Sequence, residues 1–441
     1  MGRNRYSSIL LFLLGAFSRT QVRIVGSMGV SEAVVFLVAP FIFLTNFDQL
    51  RRDGFLPVIW MTILTMFGCC VASLCNDGYM DLFLRGIASP YAVFALIVVL
   101  HKLLRNNLGG LKWILLGLAV TLIISTFVLQ PTTELSKYAD GKSGLDAVDG
   151  VMSSPIFWIG RIQPWVMLPI TGWYFQTPKV YASFAAVAFA AFAMVTTASG
   201  RAAALVALIT TVLLLVGGKR IYILRKIKRK FWIIMLIMIA SLFVLLKTYK
   251  IAATSGMLGD AAQTKYEKQT QQGDDLLHLL MKGRTNFFSC MYEGIRRPII
   301  GYGPWAPDWE GVEGEFIAEY GSEEELAMYE SYRLQGKVGW LGGHSQIGTF
   351  WVWYGIFGLL FWLYVIKELF FLFKNRMSVI PQWYGYFAVS IPSSLWAIFF
   401  SPFSGRVQES LLIVTCLLVK AVQRGRIPLS HDMVREIIKN G

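Results

Sequence analysis

The sequence predicts an all-α, polytopic membrane protein of about twelve transmembrane helices with one large outer helical loop. Three observations predict it. Of 441 residues, 55% are hydrophobic and only 15% charged, whereas soluble proteins carry about a quarter charged residues. The apolar residues fall into repeated runs long enough to cross a bilayer, parted by short polar breaks. The basic residues cluster in a few of those breaks, so the formal net charge of +14 is the excess that cytoplasmic loops acquire and needs no nucleic acid to explain it. Secreted enzymes and disordered scaffolds are excluded on the same grounds.

In chain order the expected spans are roughly 7 to 19, 29 to 46, 55 to 74, 82 to 101, 113 to 130, 155 to 174, 180 to 197, 202 to 217, 231 to 247, 347 to 367, 380 to 400 and 407 to 421. The first follows Arg3 and Arg5 like a signal peptide, but no small-x-small cleavage site comes after it, so it is read as a short first helix. The sixth contains Arg161, Pro164 and Pro169, and charge parity admits it. Gly218 to Lys230 holds seven basic residues and no acid, and His101 to Lys112 holds three and none. Both loops are then cytoplasmic, and an even number of crossings must separate them.

Residues 1–247 therefore carry spans one to nine, 248–346 form an outer loop, 347–421 carry spans ten to twelve, and 422–441 are a cytoplasmic tail. Both termini fall on the cytoplasmic side. The outer loop has nine Lys or Arg against fourteen Asp or Glu, net −5, which leaves +19 of the overall +14 to the rest of the chain. A polar stretch this long is uncommon unless it is functional. Within it, Asp308 to Glu330 gathers nine carboxylates among aromatic residues. The five cysteines show neither metal spacing nor a disulfide framework.

Five positions carry candidate chemistry. His344 is delivered by a Gly-rich turn to the outer mouth of span ten. It is a general base for a sugar hydroxyl, or an interfacial histidine that hydrogen-bonds its neighbours. Arg284 opens a helix in which Phe287, Phe288, Met291 and Ile295 recur at helical spacing on its own face. An arginine on an apolar stripe needs a partner, either a phosphate that fits its planar fork or a carboxylate of the acid-rich stretch. That helix must stop at Pro298, and Gly301-Tyr302-Gly303-Pro304 then forms a tight turn where backbone can approach a ligand, with Tyr302 counted among the substrate-binding residues. Arg201, in TTASGRAAALVAL, and Arg161 lie near the outer ends of their spans, where a charge is functional or snorkels to the interface. Together the three arginines and the histidine suggest a site for an anionic lipid or a diphosphate.

Absent signatures narrow the chemistry. There is no DxD triplet, no GxxxxGK[ST], no HExxH and no GxSxG, and the first outer loop, Thr20 to Met28, has no acidic residue. A metal-free mechanism without cofactors is expected. Trp305, Trp309, Tyr320, Tyr329 and Trp340 either stack on sugar rings or form the loop's own small core.

Taken in order, SGR at 199–201, GRTNFF with IRRPIIGYGP at 283–304, and GGHSQIGTFWVWYGIFGLLFW at 342–362 resemble the O-antigen ligase and O-antigen polymerase superfamily. The likeness covers the second half of the chain by motif and the first half by span layout. It implies a multi-span glycosyltransferase fold of the C class in the bacterial inner membrane. The implied donor is an oligosaccharide on undecaprenyl diphosphate, and the acceptor a glycan or lipid. Arg201 and Arg284 would be diphosphate clamps and His344 the base; the role of Arg161 rests on topology alone. Gly200 stands where the family usually has Ser, and Ser345 where it usually has Asn. A polysaccharide polymerase is the preferred activity, with ligation to lipid A core or protein as the alternative and a flippase of lipid-linked sugars as another class. Membrane lipids and a chain-length regulator are the further partners expected.

Overall fold

The computed structural model describes residues 2–18, 21–23, 27–76, 80–127, 250–252, 254–257, 263, 284–308, 310–321, 323–334, 341–342, 345–375, 380, 383–401, 403 and 406–428. Spans six to nine, and with them Arg161 and Arg201, lie outside the described residues, as does His344.

Five helices open the chain: α1 (Gly2–Ala16), α2 (Val30–Asp53), α3 (Leu56–Cys75), α4 (Met80–Arg105) and α5 (Leu111–Phe127). Each coincides with an expected span, because an apolar backbone in hydrocarbon must satisfy its hydrogen bonds within its own segment. Three stretches, Val30–Asp53, Leu56–Cys75 and Leu82–Arg105, are long and apolar enough to cross a membrane. Their outward surfaces are apolar, as at Leu37, Phe41 and Leu44 on α2 and Phe67 and Leu74 on α3. Between α1 and α2 runs a two-stranded antiparallel ladder, β1 (Gln21–Arg23) and β2 (Ser27–Gly29), pairing Val22 with Met28. Among the described residues the architecture is thus helical with one short hairpin, which lets the backbone of the connection pair with itself.

Later in the chain come α6 (Thr285–Arg296), α7 (Val312–Tyr320), α8 (Glu323–Leu334), α9 (Gln346–Tyr354), α10 (Ile356–Asn375), α11 (Tyr384–Phe400) and α12 (Arg406–Gln423). The tenth expected span is not one helix. It breaks at Gly355, whose φ of 62° and ψ of −148° belong to a region that only glycine occupies readily.

Close approaches at small residues hold the bundle. A Cβ on Gly15 would stand 2.4 Å from the Ile114 carbonyl oxygen and one on Gly117 2.2 Å from that of Phe12, so α1 and α5 touch backbone to backbone. Tyr91 of α4 donates to the Phe36 carbonyl of α2 at 3.1 Å. Helix α12 is buried along nearly its whole length, packed by α4, α10, α2 and α11. Its start and that of α2 share one end of the bundle, where Arg406 meets Glu32; the C-terminal ends of α2 and α4 share the opposite one, where Asp53 meets His101.

Candidate active site

Helix α6 brings Arg284 to that first end. Arg284 is its N-cap, and its carbonyl accepts the Phe287 amide at 2.9 Å. The guanidinium carbon lies 5.1 Å from the Trp396 ring and 5.0 Å from the Phe400 ring of α11, an arrangement attractive through the ring quadrupoles. Phe287 packs against the same Phe400, at 5.3 Å between centroids. The sequence put Arg284, Phe287, Phe288, Met291 and Ile295 on one apolar face; the structure buries a different face. Thr285, Asn286, Ser289, Cys290, Glu293 and Gly294 are buried, Phe287 and Met291 are half-buried, and Ile295 is 69% exposed. The polar face has partners inside: the Asn286 side-chain amide donates to Glu313 at 3.0 Å, and Ser289 donates to the Asn286 carbonyl at 3.1 Å. Burial, with Glu313 nearby, raises the Cys290 thiol above its usual range, so it is an inert packing group.

The helix sits on α9 through two glycines. A Cβ on Gly294 would come within 2.6 Å of the Trp351 ring, and one on Gly348 within 2.8 Å of Cys290 Cβ. Ser345, fully buried, caps α9 by accepting the Gly348 amide at 3.0 Å. Ser345 directly follows His344 in the chain. The helix led by Arg284 and the helix led by the His344 segment are therefore in direct contact.

The GYGP turn docks onto the break between α9 and α10. The Tyr302 amide donates to the Val352 carbonyl at 2.6 Å, and the Ile356 amide to the Ile299 carbonyl at 3.0 Å. Gly301 and Gly355 both have positive φ, and a Cβ on Gly355 would stand 2.0 Å from the Ile299 oxygen. The glycine expected to admit a ligand thus admits the protein's own backbone at Gly301. Pro304 fills the space over Gly86 of α4, and the Asn76 side-chain amide donates to the Gly301 carbonyl at 3.3 Å, which ties the turn to α3. The Tyr302 hydroxyl donates to the Glu293 carboxylate, and its ring lies 4.5 Å from the Arg297 guanidinium. Burial first, and the Glu293 charge second, hold that hydroxyl protonated well above the ordinary tyrosine range. Glu293 also accepts Arg296 at 3.2 Å, and Arg296 reaches Glu310 in the acid-rich stretch.

Within that stretch Asp308 accepts the Val312 and Glu313 amides at 3.0 and 2.9 Å, capping α7, and Tyr329 donates to it at 3.2 Å. Burial, then the Asp308 charge, pushes the Tyr329 hydroxyl up to about 12. Trp305 stacks on Trp353 at 4.4 Å between centroids, and Tyr320 lies against Phe316. These three aromatics pack against other aromatic or acidic side chains of the protein; Trp309 and Trp340 lie outside the described residues.

Two residues escaped the sequence analysis. Gln346, in the first turn of α9, donates its side-chain amide to Glu409 of α12, and both are buried. One turn before Glu409, Arg406 pairs with Glu32 at 3.4 Å, and Glu32 also accepts the Gly29 amide at 3.3 Å. The connection before α2 holds no acid, but Glu32 follows it within the first turn of that helix. A carboxylate inside an apolar run was the available signal at Glu409.

Residues 184–363 match the family model described as O-antigen ligase. That segment is similar to a family whose members are enzymes that transfer lipid-linked glycans. Arg201, Arg284, Tyr302 and His344 lie inside the matched segment; Arg161, Glu32 and Glu409 lie outside it. No curated protein matches the chain.

Proposed function

We propose that the protein is a metal-independent, inverting glycosyltransferase that moves a glycan from undecaprenyl diphosphate to an acceptor hydroxyl at the outer face of the inner membrane, polymerising polysaccharide repeat units. The observation that carries this reading is the contact between α6, led by Arg284, and α9, which starts directly after His344, inside the matched domain. The charge pattern supports twelve spans with both termini cytoplasmic, and so an outer loop at 248–346. The acceptor oxygen attacks the anomeric carbon as its bond to the diphosphate oxygen breaks. His344 takes the hydroxyl proton, and Arg284 with Arg201 stabilises the charge growing on the leaving diphosphate. Arg161 assists from span six, and Tyr302 holds the wall of the site. Arg284 stands at the N-terminal end of α6, where the helix dipole adds to its positive charge.

The test is purified protein in liposomes with lipid-linked repeat units. Longer glycans are expected from wild type and not from H344A or R284A. Translocation of the lipid-linked sugar with no new glycosidic bond would overturn the transferase reading in favour of a flippase. A bond formed only after lipid core or acceptor protein is added would move the activity to ligase.

A further inference from the structure

Glu409 and Gln346 form a polar pair inside an apolar bundle. Gln346 is 1% exposed and Glu409 9%, and around them stand Val407, Ser410, Leu411 and Ile347, all buried. Gln346 gives its amide to Glu409 Oε1. Among the described residues Gln346 Oε1, Glu409 Oε2, the Ser410 hydroxyl and Arg406 Nε have no hydrogen-bond partner. A carboxylate with a neutral partner and an unsatisfied oxygen is costly in such surroundings. An apolar pair of similar volume would pack there at lower cost, so stability alone does not account for these residues.

Their position does. Gln346 is the first residue of α9, two places after His344, and Ser345 between them is the helix cap. Glu409 lies one turn into α12, a helix buried along nearly its whole length. The pair thus anchors the start of α9 to a buried helix, and Arg406 with Glu32 extends the anchor to the start of α2. We propose that Glu409 is a positioning residue, which through the Gln346 amide fixes the first turn of α9 and with it the point from which His344 is presented to the acceptor. The proposal rests on the transferase reading for its consequence and on the α9 anchor for its structure. A misplacement of about 1 Å at a reacting group costs on the order of 100-fold in rate, so a tether at this point is sufficient to matter.

The experiment uses the full chain in nanodiscs with a lipid-linked repeat unit as donor, and follows kcat and KM together with amide hydrogen exchange over residues 346–349. E409A and Q346A each remove the tether from one side. Both are expected to lower kcat about 100-fold with the donor KM within about threefold of wild type, and to speed exchange at the start of α9. E409Q keeps an oxygen that can accept the Gln346 amide and is expected to restore kcat to within about fivefold of wild type. If E409A does not fold, Q346A decides alone. Wild-type kcat and exchange in Q346A would overturn the proposal. So would E409Q as slow as E409A with exchange unchanged, because the carboxylate would then act by its charge. A wild-type protein that forms no glycosidic bond overturns the transferase reading instead, and the exchange measurement still decides whether the tether exists.

Discussion

The two ends of the bundle bury carboxylates in opposite ways. At the end where α2 and α4 finish, Asp53 accepts His101 Nε2 at 2.8 Å and also Arg105, while Lys102 donates to Asn46. At the other end Glu409 accepts the neutral amide of Gln346, and Arg406, one turn earlier on the same helix, is paired with Glu32. Among the described residues each carboxylate leaves one oxygen without a hydrogen-bond partner, but the first is bonded to the Arg105 guanidinium and the His101 ring, whereas the second is bonded to a neutral amide and has Arg406 only nearby. Removing the carboxylate of a buried ion pair strands the cation and is strongly destabilising, whereas a carboxylate bonded to a neutral amide leaves no bonded charge behind when it is removed. The comparison assigns stability to the first end and activity to the second.

The largest expected effect breaks that assignment if it fails. D53A strands the Arg105 charge beside the buried His101, at a cost of about 3–5 kcal/mol. It is expected to lower the thermal unfolding temperature sharply in detergent while the surviving folded protein turns over normally. R284A is the converse: a rate about 100- to 1,000-fold lower with the unfolding temperature nearly unchanged. R284K is expected to recover part of that rate, since it keeps the charge but not the planar stack on Trp396 and Phe400. An R284A protein that unfolds early and turns over normally would reverse the roles of the two ends.

Smaller effects sharpen the comparison within the active end. G355A forces a side chain into φ 62° against the Ile299 carbonyl, and strain of about 1–3 kcal/mol is expected. Limited proteolysis in the 298–304 turn is the readout. Y302F removes one hydrogen bond to Glu293, which keeps Arg296, so a loss of about 1 kcal/mol is expected with the donor KM unchanged. A large KM increase in Y302F would return the hydroxyl to the substrate. E310A, at an exposed ion pair with Arg296, is expected to leave unfolding and turnover alike unaltered.

Much of this was legible in the residues. Spans two to five match their helices closely, because twenty apolar residues in sequence specify a helix in hydrocarbon whatever surrounds them. Arg284 was visible as a charge on an apolar stripe, and Pro298 with the GYG turn as a helix stop. The orientation of α6 was not. Its Ile295 faces out and its Asn286 and Glu293 face in, the reverse of the pattern that helical periodicity suggests for a soluble helix. The break at Gly355 was hidden because GLLFW continues the apolar run without a polar mark, and the need for glycine comes from Ile299, some 50 residues earlier. Glu409 could not be read as a tether from the sequence, since its partner lies 63 residues away.

By itself the sequence determined that the chain spans a membrane, where most described helices run, and that an arginine helix, a glycine turn and a histidine segment occur in that order. These are local properties, set by the transfer free energy of consecutive residues and by the conformational limits of Pro and Gly. Only the tertiary structure decided which face of α6 is buried, that Gly301 and Gly355 accommodate each other's strands, and that Glu409 holds the start of α9. Lipid tails and neighbouring helices are equally apolar, so hydropathy cannot tell a lipid-facing side chain from a protein-facing one. That choice falls to packing and to the few buried polar groups, whose partners lie far along the chain.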